Sequence, residues 1–329
     1  MNNFKKIGLS ALAGSLVAFS AHAGTLTATG SASLSMADSD QDTAASTAAT
    51  TTAASTGNQF TMGDSITLTG SGEMDNGMTI SVSFEIDNDD TGGGNVYDSH
   101  SMTLDTNGMG TITFAGHGGD SAMSAIDDVT PNAYEESWDG VSGADQGTLV
   151  NGTSGDNMFT YKSPSISGAV VTMAYLNASD AVTDVSYSDF AIAYSPEMVD
   201  GLTVGYGQGD TEETTGTKLD DTAVYVKYTY GSVTVGYQEN ETDGTTAAED
   251  VDFEAFGISY AVTDNLTIAY NQSESTNGGD ADSQETSGIS ASFTSGGMTI
   301  AGMMNDVDNV AYEASDDTSG YELNISFAF

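Results

Sequence analysis

The sequence predicts an all-β protein, a closed antiparallel transmembrane β-barrel of about 16 strands. Three observations predict it. Apolar and polar residues alternate with period two along most of the chain. A five-residue motif recurs at spacings of 31, 31 and 33 residues in the C-terminal half. The connections alternate between short turns and long acidic loops.

Residues 1–23 read as a secretory signal peptide: Lys5 and Lys6, then the apolar and small Ile7–Ser20, then the A-x-A site Ala21-His22-Ala23. Residues 24–329 read as one barrel domain. Past the leader no apolar run reaches the ~18 residues of a membrane helix. Length alone would suggest two domains of ~150 residues, but a repeat that builds one sheet overrides it.

Met78, Ile80, Val82, Phe84 and Ile86 alternate with Thr79, Ser81, Ser83 and Glu85. The motif Val171-Thr172-Met173-Ala174-Tyr175 returns at Leu202–Tyr206, Val233–Tyr237 and Leu266–Tyr270, and more loosely at Met298–Gly302. A period of this size is one hairpin. Strands are expected near 25–36, 59–70, 77–87, 99–105, 110–116, 157–163, 168–178, 185–195, 201–208, 221–230, 232–239, 253–262, 265–273, 286–294, 297–305 and 320–329. Between them, Gly209–Asp221, Glu239–Asp250 and Ser273–Glu285 read as acidic loops. An even number of strands lets the sheet close without an edge.

The polar face is Thr, Ser, Gly, Asn and acids, which cannot fill a dry core. Tyr and Phe recur near strand ends, as an interfacial girdle requires. The apolar face therefore meets lipid and the polar face lines the lumen. Asp64, Asp252 and Glu254 break this parity and read as strand starts or bulges.

The terminal alternation Tyr321, Leu323, Ile325, Phe327 and Phe329 resembles the last strand of Gram-negative outer-membrane proteins, the signal read by the barrel-assembly machinery. Gly70-Ser71-Gly72-Glu73-Met74-Asp75-Asn76-Gly77-Met78 resembles the G-S-E-D-L-G-N-G-L turn of general bacterial porins of alphaproteobacterial type. Asn157–Pro164 resembles their N-R-[IV]-R-Y-x-[ST]-P strand. The resemblance implies a homotrimer and a water-filled diffusion channel, embedded in outer-membrane lipid and lipopolysaccharide. It also implies a third loop folded inside as a constriction. The stretch 117–155, about 39 residues and too long for an idle connector, stands where that loop belongs.

In that family acidic residues on the loop oppose basic residues on the wall. Here the loop acids remain: Asp120, Asp127, Asp128, Glu135, Glu136, Asp139 and Asp145. By the resemblance, basic wall positions become Ser65, Thr69, Thr79, Met158 and Thr160. The chain sets five lysines and no arginine against 48 carboxylates, and the leader takes two of the lysines. Lys162 and Lys227 have the parity of the lumen, and Lys218 falls in an acidic loop. Fixed carboxylates attract cations and repel anions. The expectation is passive diffusion of ions and small hydrophilic solutes with cation preference.

Other classes fare poorly. Nucleic-acid binding needs clustered Lys and Arg. Without cysteine, no disulfide or Cys-ligated metal is available. No catalytic set appears, so no enzyme and no cofactor are expected. Specific Ca²⁺ binding at acidic loops is the lesser reading beside diffuse cation attraction. Asp38-x-Asp40-x-Asp42 lacks the Gly and distal Glu of an EF-hand, and Gly278-Gly279-Asp280 is not a calcium repeat. No metal site is expected, since His100 and His117 show no metal-ligand spacing to each other. Trp138 reads as a packing anchor of the loop, and Thr43–Ala54 as an exposed low-complexity tip. The competing class is a secreted or surface-bound acidic, β-rich, calcium-binding adhesin. It leaves the short-turn/long-loop alternation and the terminal Phe without a reason.

Overall fold

A computed structural model describes residues 24–42, 59–87, 97–139, 152–177, 185–213, 218–314 and 316–329. The expected leader 1–23, the Ala/Thr tract 43–54 and Asp145 lie outside the described residues. The strands are β1 (Thr25–Asp42), β2 (Gln59–Glu73), β3 (Thr79–Asp87), β4 (Ser99–Asp105), β5 (Thr111–His117), β6 (Gly119–Asp120), β7 (Ser154–Gly155), β8 (Met158–Lys162) and β9 (Ala169–Leu176). They continue as β10 (Val185–Tyr194), β11 (Leu202–Glu213), β12 (Lys218–Tyr230), β13 (Val233–Asp243), β14 (Val251–Thr263), β15 (Leu266–Asn277), β16 (Gln284–Ser295), β17 (Met298–Asp308) and β18 (Asp317–Ala328). Sixteen of them form one closed barrel of antiparallel neighbours, and β6 and β7 pair separately within the long connection from β5 to β8.

Closure joins β1 to β18, with Ser31 opposite Ala328 and Asp38 opposite Tyr321. Phe329 completes the seam: its N–H donates to Gly30 O at 2.9 Å, and Gly30 N–H donates to its carbonyl at 2.8 Å. No edge is left for pairing with another chain.

All sixteen expected strands are present, but several run further on the long-loop side. β11 reaches Glu213, β13 reaches Asp243 and β15 reaches Asn277. Much of Gly209–Asp221, Glu239–Asp250 and Ser273–Glu285 is therefore ladder instead of loop. The hydrogen bonds that extend a hairpin need only backbone, and acidic side chains in water do not oppose it. Lys218 likewise opens β12 opposite Glu212, with Nζ 3.5 Å from the carboxylate, an exposed surface pair. Asp38 stands in β1, not in a loop.

The outward face changes character along each strand. Val235, Ile258, Tyr270, Ile289, Met304 and Tyr321 follow one another across β13–β18 as one apolar and aromatic row. Ile289 is 63 % and Met304 67 % exposed, which in water would waste several kcal/mol of burial and in lipid does not. Two steps toward the long loops, Glu239, Glu254, Glu274, Glu285 and Asp308 form a second row, each directly opposite the next. Asp252 and Glu254 stand near the start of β14 with regular pairing, above the apolar row, so the strand-start reading holds for them. Asp64 differs. It sits in β2 opposite Ala32 with no bulge in either ladder, among outward Phe60, Met62 and Ile66.

Candidate functional site

The inward face carries the site. From β5 the chain turns inside through β6 and a single 3-10 turn, Met123–Ala125. It then crosses the inner wall from β10 to β18 as far as the described residues reach, and returns through β7. Inward-facing polar residues meet it in order. Asp189 on β10 accepts from Met123 N–H at 2.7 Å, Ala174 N–H at 3.1 Å and Tyr187 Oη at 3.2 Å. Gln238 on β13 accepts from Val129 N–H at 2.9 Å and Thr130 Oγ1 at 2.8 Å, and its amide donates to Asp127 O at 2.5 Å. Ser290 Oγ accepts from Ala133 N–H at 3.1 Å. Tyr134 Oη donates to Glu322 at 2.8 Å. Asn271 accepts from Ser137 N–H at 2.9 Å, and Asn305 donates to Ser137 O at 3.0 Å.

Packing reinforces these bonds. Met123 and Ile126 are buried with Met158, Ala174, Ala191 and Ala223. Each large side chain buried there contributes on the order of 1.5–3 kcal/mol. Trp138 is buried edge-on against Phe253 at 5.3 Å, in the anchoring position. Inward glycines make room for the loop. A Cβ on Gly236 would lie 2.4 Å from Pro131 Cδ, and one on Gly207 2.5 Å from Ile126 Cδ1.

The predicted acids separate into groups. Asp128, Glu136 and Asp139 present carboxylate oxygens within 4.8 Å of one another. Burial pushes Glu136 up to about 8, with Asp128 beside it adding to the rise and Asn132, which donates to it, offsetting part. Burial likewise raises Asp128 to about 7, with Asp139 and Asp127 close by, and it raises Asp139. Glu135 reaches about 7 through burial and the neighbouring Glu322. Asp127 reaches about 6 through burial, although Gly152 N–H donates to it. Asp120 stands apart at the neck, exposed in β6.

The predicted wall residues also divide. Ser65, Thr69 and Thr79 face inward on β2 and β3, opposite the loop-bearing half, and Thr160 Oγ1 reaches Asp120 O at 3.3 Å. Lys162 and Lys227 have inward parity, and Lys162 ends β8 beside a short turn. Met158 requires a correction. It points inward but is 1 % exposed, covered by Met123 and Ile126, so it packs the loop and does not border open space. Sequence reading missed Asp189, Gln238, Ser290, Asn271, Asn305 and Glu322. For all but Ser290 the signal was available: polar residues larger than Ser or Thr, of inward parity, near inward glycines. His100 and His117, far apart in sequence for metal ligands, are brought together by the fold. They stand opposite each other across β4 and β5, with ring centres 6.4 Å apart.

A family model described as Gram-negative porin matches residues 8–312. The chain belongs to the Gram-negative porin family. An anion-selective porin from Comamonas acidovorans has the same fold, with TM-score 0.71 and 14% identity over 93% of this chain and 100% of that one. OmpT of Vibrio cholerae, expressed in the outer membrane, gives 0.66 and 14% over 94% and 99%. A triple mutant of Rhodopseudomonas blastica porin gives 0.65 and 17% over 93% and 100%. No curated protein sequence matches. The chain is thus an outer-membrane porin, and its family and fold point to a channel rather than an enzyme.

Proposed function

We propose that this porin passes ions and small hydrophilic solutes by passive diffusion, with preference for cations and without catalysis. One observation carries the reading: five carboxylates of the internal loop, Asp127, Asp128, Glu135, Glu136 and Asp139, gather inside a barrel whose chain contains no arginine. The lysines of inward parity are two, Lys162 and Lys227. Between charges at a narrow passage, screening at ~0.15 M salt acts over about 8 Å. The loop's field therefore extends across a gap of that order. The Comamonas protein, anion-selective by its name, shares the fold at 14% identity. The same barrel thus supports either sign, and the side chains decide.

The reading extends to partners. Family membership supports a homotrimer, and the terminal Phe329, seated in the seam, supports recognition by the barrel-assembly machinery. The outward carboxylate row favours a diffuse layer of Ca²⁺ or Mg²⁺ shared with lipopolysaccharide head groups over a defined calcium site. The adhesin reading loses its support, because a closed barrel with an apolar exterior suits lipid.

Planar-bilayer recording under a KCl gradient tests the proposal. Stepwise conductance with a reversal potential of cation sign is expected at pH 8. An anion-sign potential would refute the charge argument and leave the barrel standing.

A further inference from the structure

The barrel contains two histidines, His100 and His117; the third in the sequence, His22, lies in the leader. These two are cross-strand neighbours. The pairing depends on a register shift. Ser101 pairs with Ala115, yet His100 pairs with His117, so Gly116 is the extra residue of a bulge. Gly116 also vacates the space His100 fills: a Cβ there would lie 2.3 Å from His100 Nε2. The rings lie within 28° of parallel. His117 Nδ1 is 2.6 Å from Asp156 Oδ1. That contact needs the proton on Nδ1, which leaves Nε2 with its lone pair. His100 Nδ1 is buried and finds no hydrogen-bond partner among the described residues.

Two imidazoles side by side, one with its free nitrogen oriented by a carboxylate, match how metal-bound histidines are held. We propose that His100 and His117 bind a divalent transition metal of the Zn²⁺, Cu²⁺ or Ni²⁺ class, with Asp156 as a positioning residue and water in the remaining positions. A metal ~2.0–2.1 Å from one nitrogen of each ring sets the ring centres ~5–6 Å apart. The present separation is 6.4 Å, so metal binding requires the rings to turn slightly toward each other. Imidazole nitrogen selects these ions, whereas Ca²⁺ and Mg²⁺ go to oxygen. The site also has a location that matters. His117, the last residue of β5, opens the 117–155 stretch and Asp156 follows it, so a metal here ties the neck of the loop to β4.

The test uses the purified, detergent-solubilised porin, stripped with chelator and then held in excess Mg²⁺ to occupy carboxylates. Calorimetry with Zn²⁺ should give one saturable site per chain. Cu²⁺ electron paramagnetic resonance should show coupling to two nitrogens. His100→Ala and His117→Ala should each abolish the nitrogen signature, and Asp156→Asn should weaken binding roughly 10–100-fold. Gly116→Ala, which displaces the His100 ring without touching a ligand, should weaken it too. Heat-modifiable mobility reports that each variant is folded. Saturable Zn²⁺ binding that survives in the double histidine variant overturns the proposal, as does a wild-type protein with no saturable site or no nitrogen coupling.

Discussion

The two concentrations of carboxylate in this molecule differ in everything but chemistry. Asp127, Asp128, Glu135, Glu136 and Asp139 sit on a loop pressed against the inner wall, where burial raises all of them. Glu239, Glu254, Glu274, Glu285 and Asp308 stand exposed on the outer face, one per strand, in direct register. Burial disfavours the charged form of the inner group, whereas the outer group meets water and mobile ions. A net charge read from composition therefore overstates the charge at the passage and says nothing of where the remainder lies.

The largest way to break this comparison is to release the loop. Asp189 is 7 % exposed and accepts three hydrogen bonds, one of them from the loop backbone at Met123. Asp189→Ala leaves those buried donors unpaired, at about 1–3 kcal/mol each. The barrel should still form, with its heat-modifiable mobility intact. The loop should become cleavable by protease within residues 121–139, and single-channel conductance should rise with added noise. Unchanged cleavage would mean that Gln238, Asn271 and the Met123–Ile126 packing suffice alone.

A smaller effect sharpens the same contrast through pH. The inner carboxylates are raised, so it is the charged form that the docked loop disfavours. Their contribution to docking is fully present below the ordinary carboxylate range near ~4. It is lost as pH rises through about 6 for Asp127 to about 8 for Glu136. Over that window the loop gains charge while its hold weakens. Cation preference, read from the KCl reversal potential, should grow from pH 5 to pH 8.5, together with conductance. Glu136→Gln should remove the upper part of that rise. A flat pH profile would place these residues away from the conducting path.

Much of this was legible before any coordinates. Period two located all sixteen barrel strands because one face must meet lipid, and the side-chain rule for a barrel wall is local. The strand ends on the long-loop side were not legible, since acidic residues such as Glu239 and Asp252 pair through backbone that carries no compositional mark. The loop acids could be named but not grouped, because proximity of Asp128 to Glu136 depends on how the loop bends against the wall. The anchors Asp189 and Gln238 had inward parity in plain view. Their role appears only when a distant segment, more than 60 residues earlier in the chain, comes to rest on them. His100 and His117 escaped for a narrower reason: one inserted glycine changes which residues are opposite.

The smallest expected effect belongs to the outer row. Like charges directly opposite in a sheet destabilise it by roughly 0.2–1 kcal/mol per pair. Glu239–Glu254, Glu254–Glu274, Glu274–Glu285 and Glu285–Asp308 are four such pairs on successive ladders. Tyr237 Oη donates to Glu239 at 2.7 Å and also interacts with Glu254, which relieves the first pair in part. Glu254 and Glu274 each take part in two of the pairs, so Glu254→Gln with Glu274→Gln removes at least one charge from all but the last. The variant should raise the temperature at which the folded band is lost on heated gels, by a few degrees at low salt. Millimolar Mg²⁺ or Ca²⁺ should give the wild type the same gain and the variant much less, because the cations act on the repulsion the substitutions remove. Equal gains in both proteins would show that divalent cations stabilise the barrel elsewhere, and the outer row would then be ordinary solvated surface. Selectivity should be unmoved by these substitutions. A shift in reversal potential would mean that the outer charges reach the passage and that the two groups of carboxylates are not electrically separate.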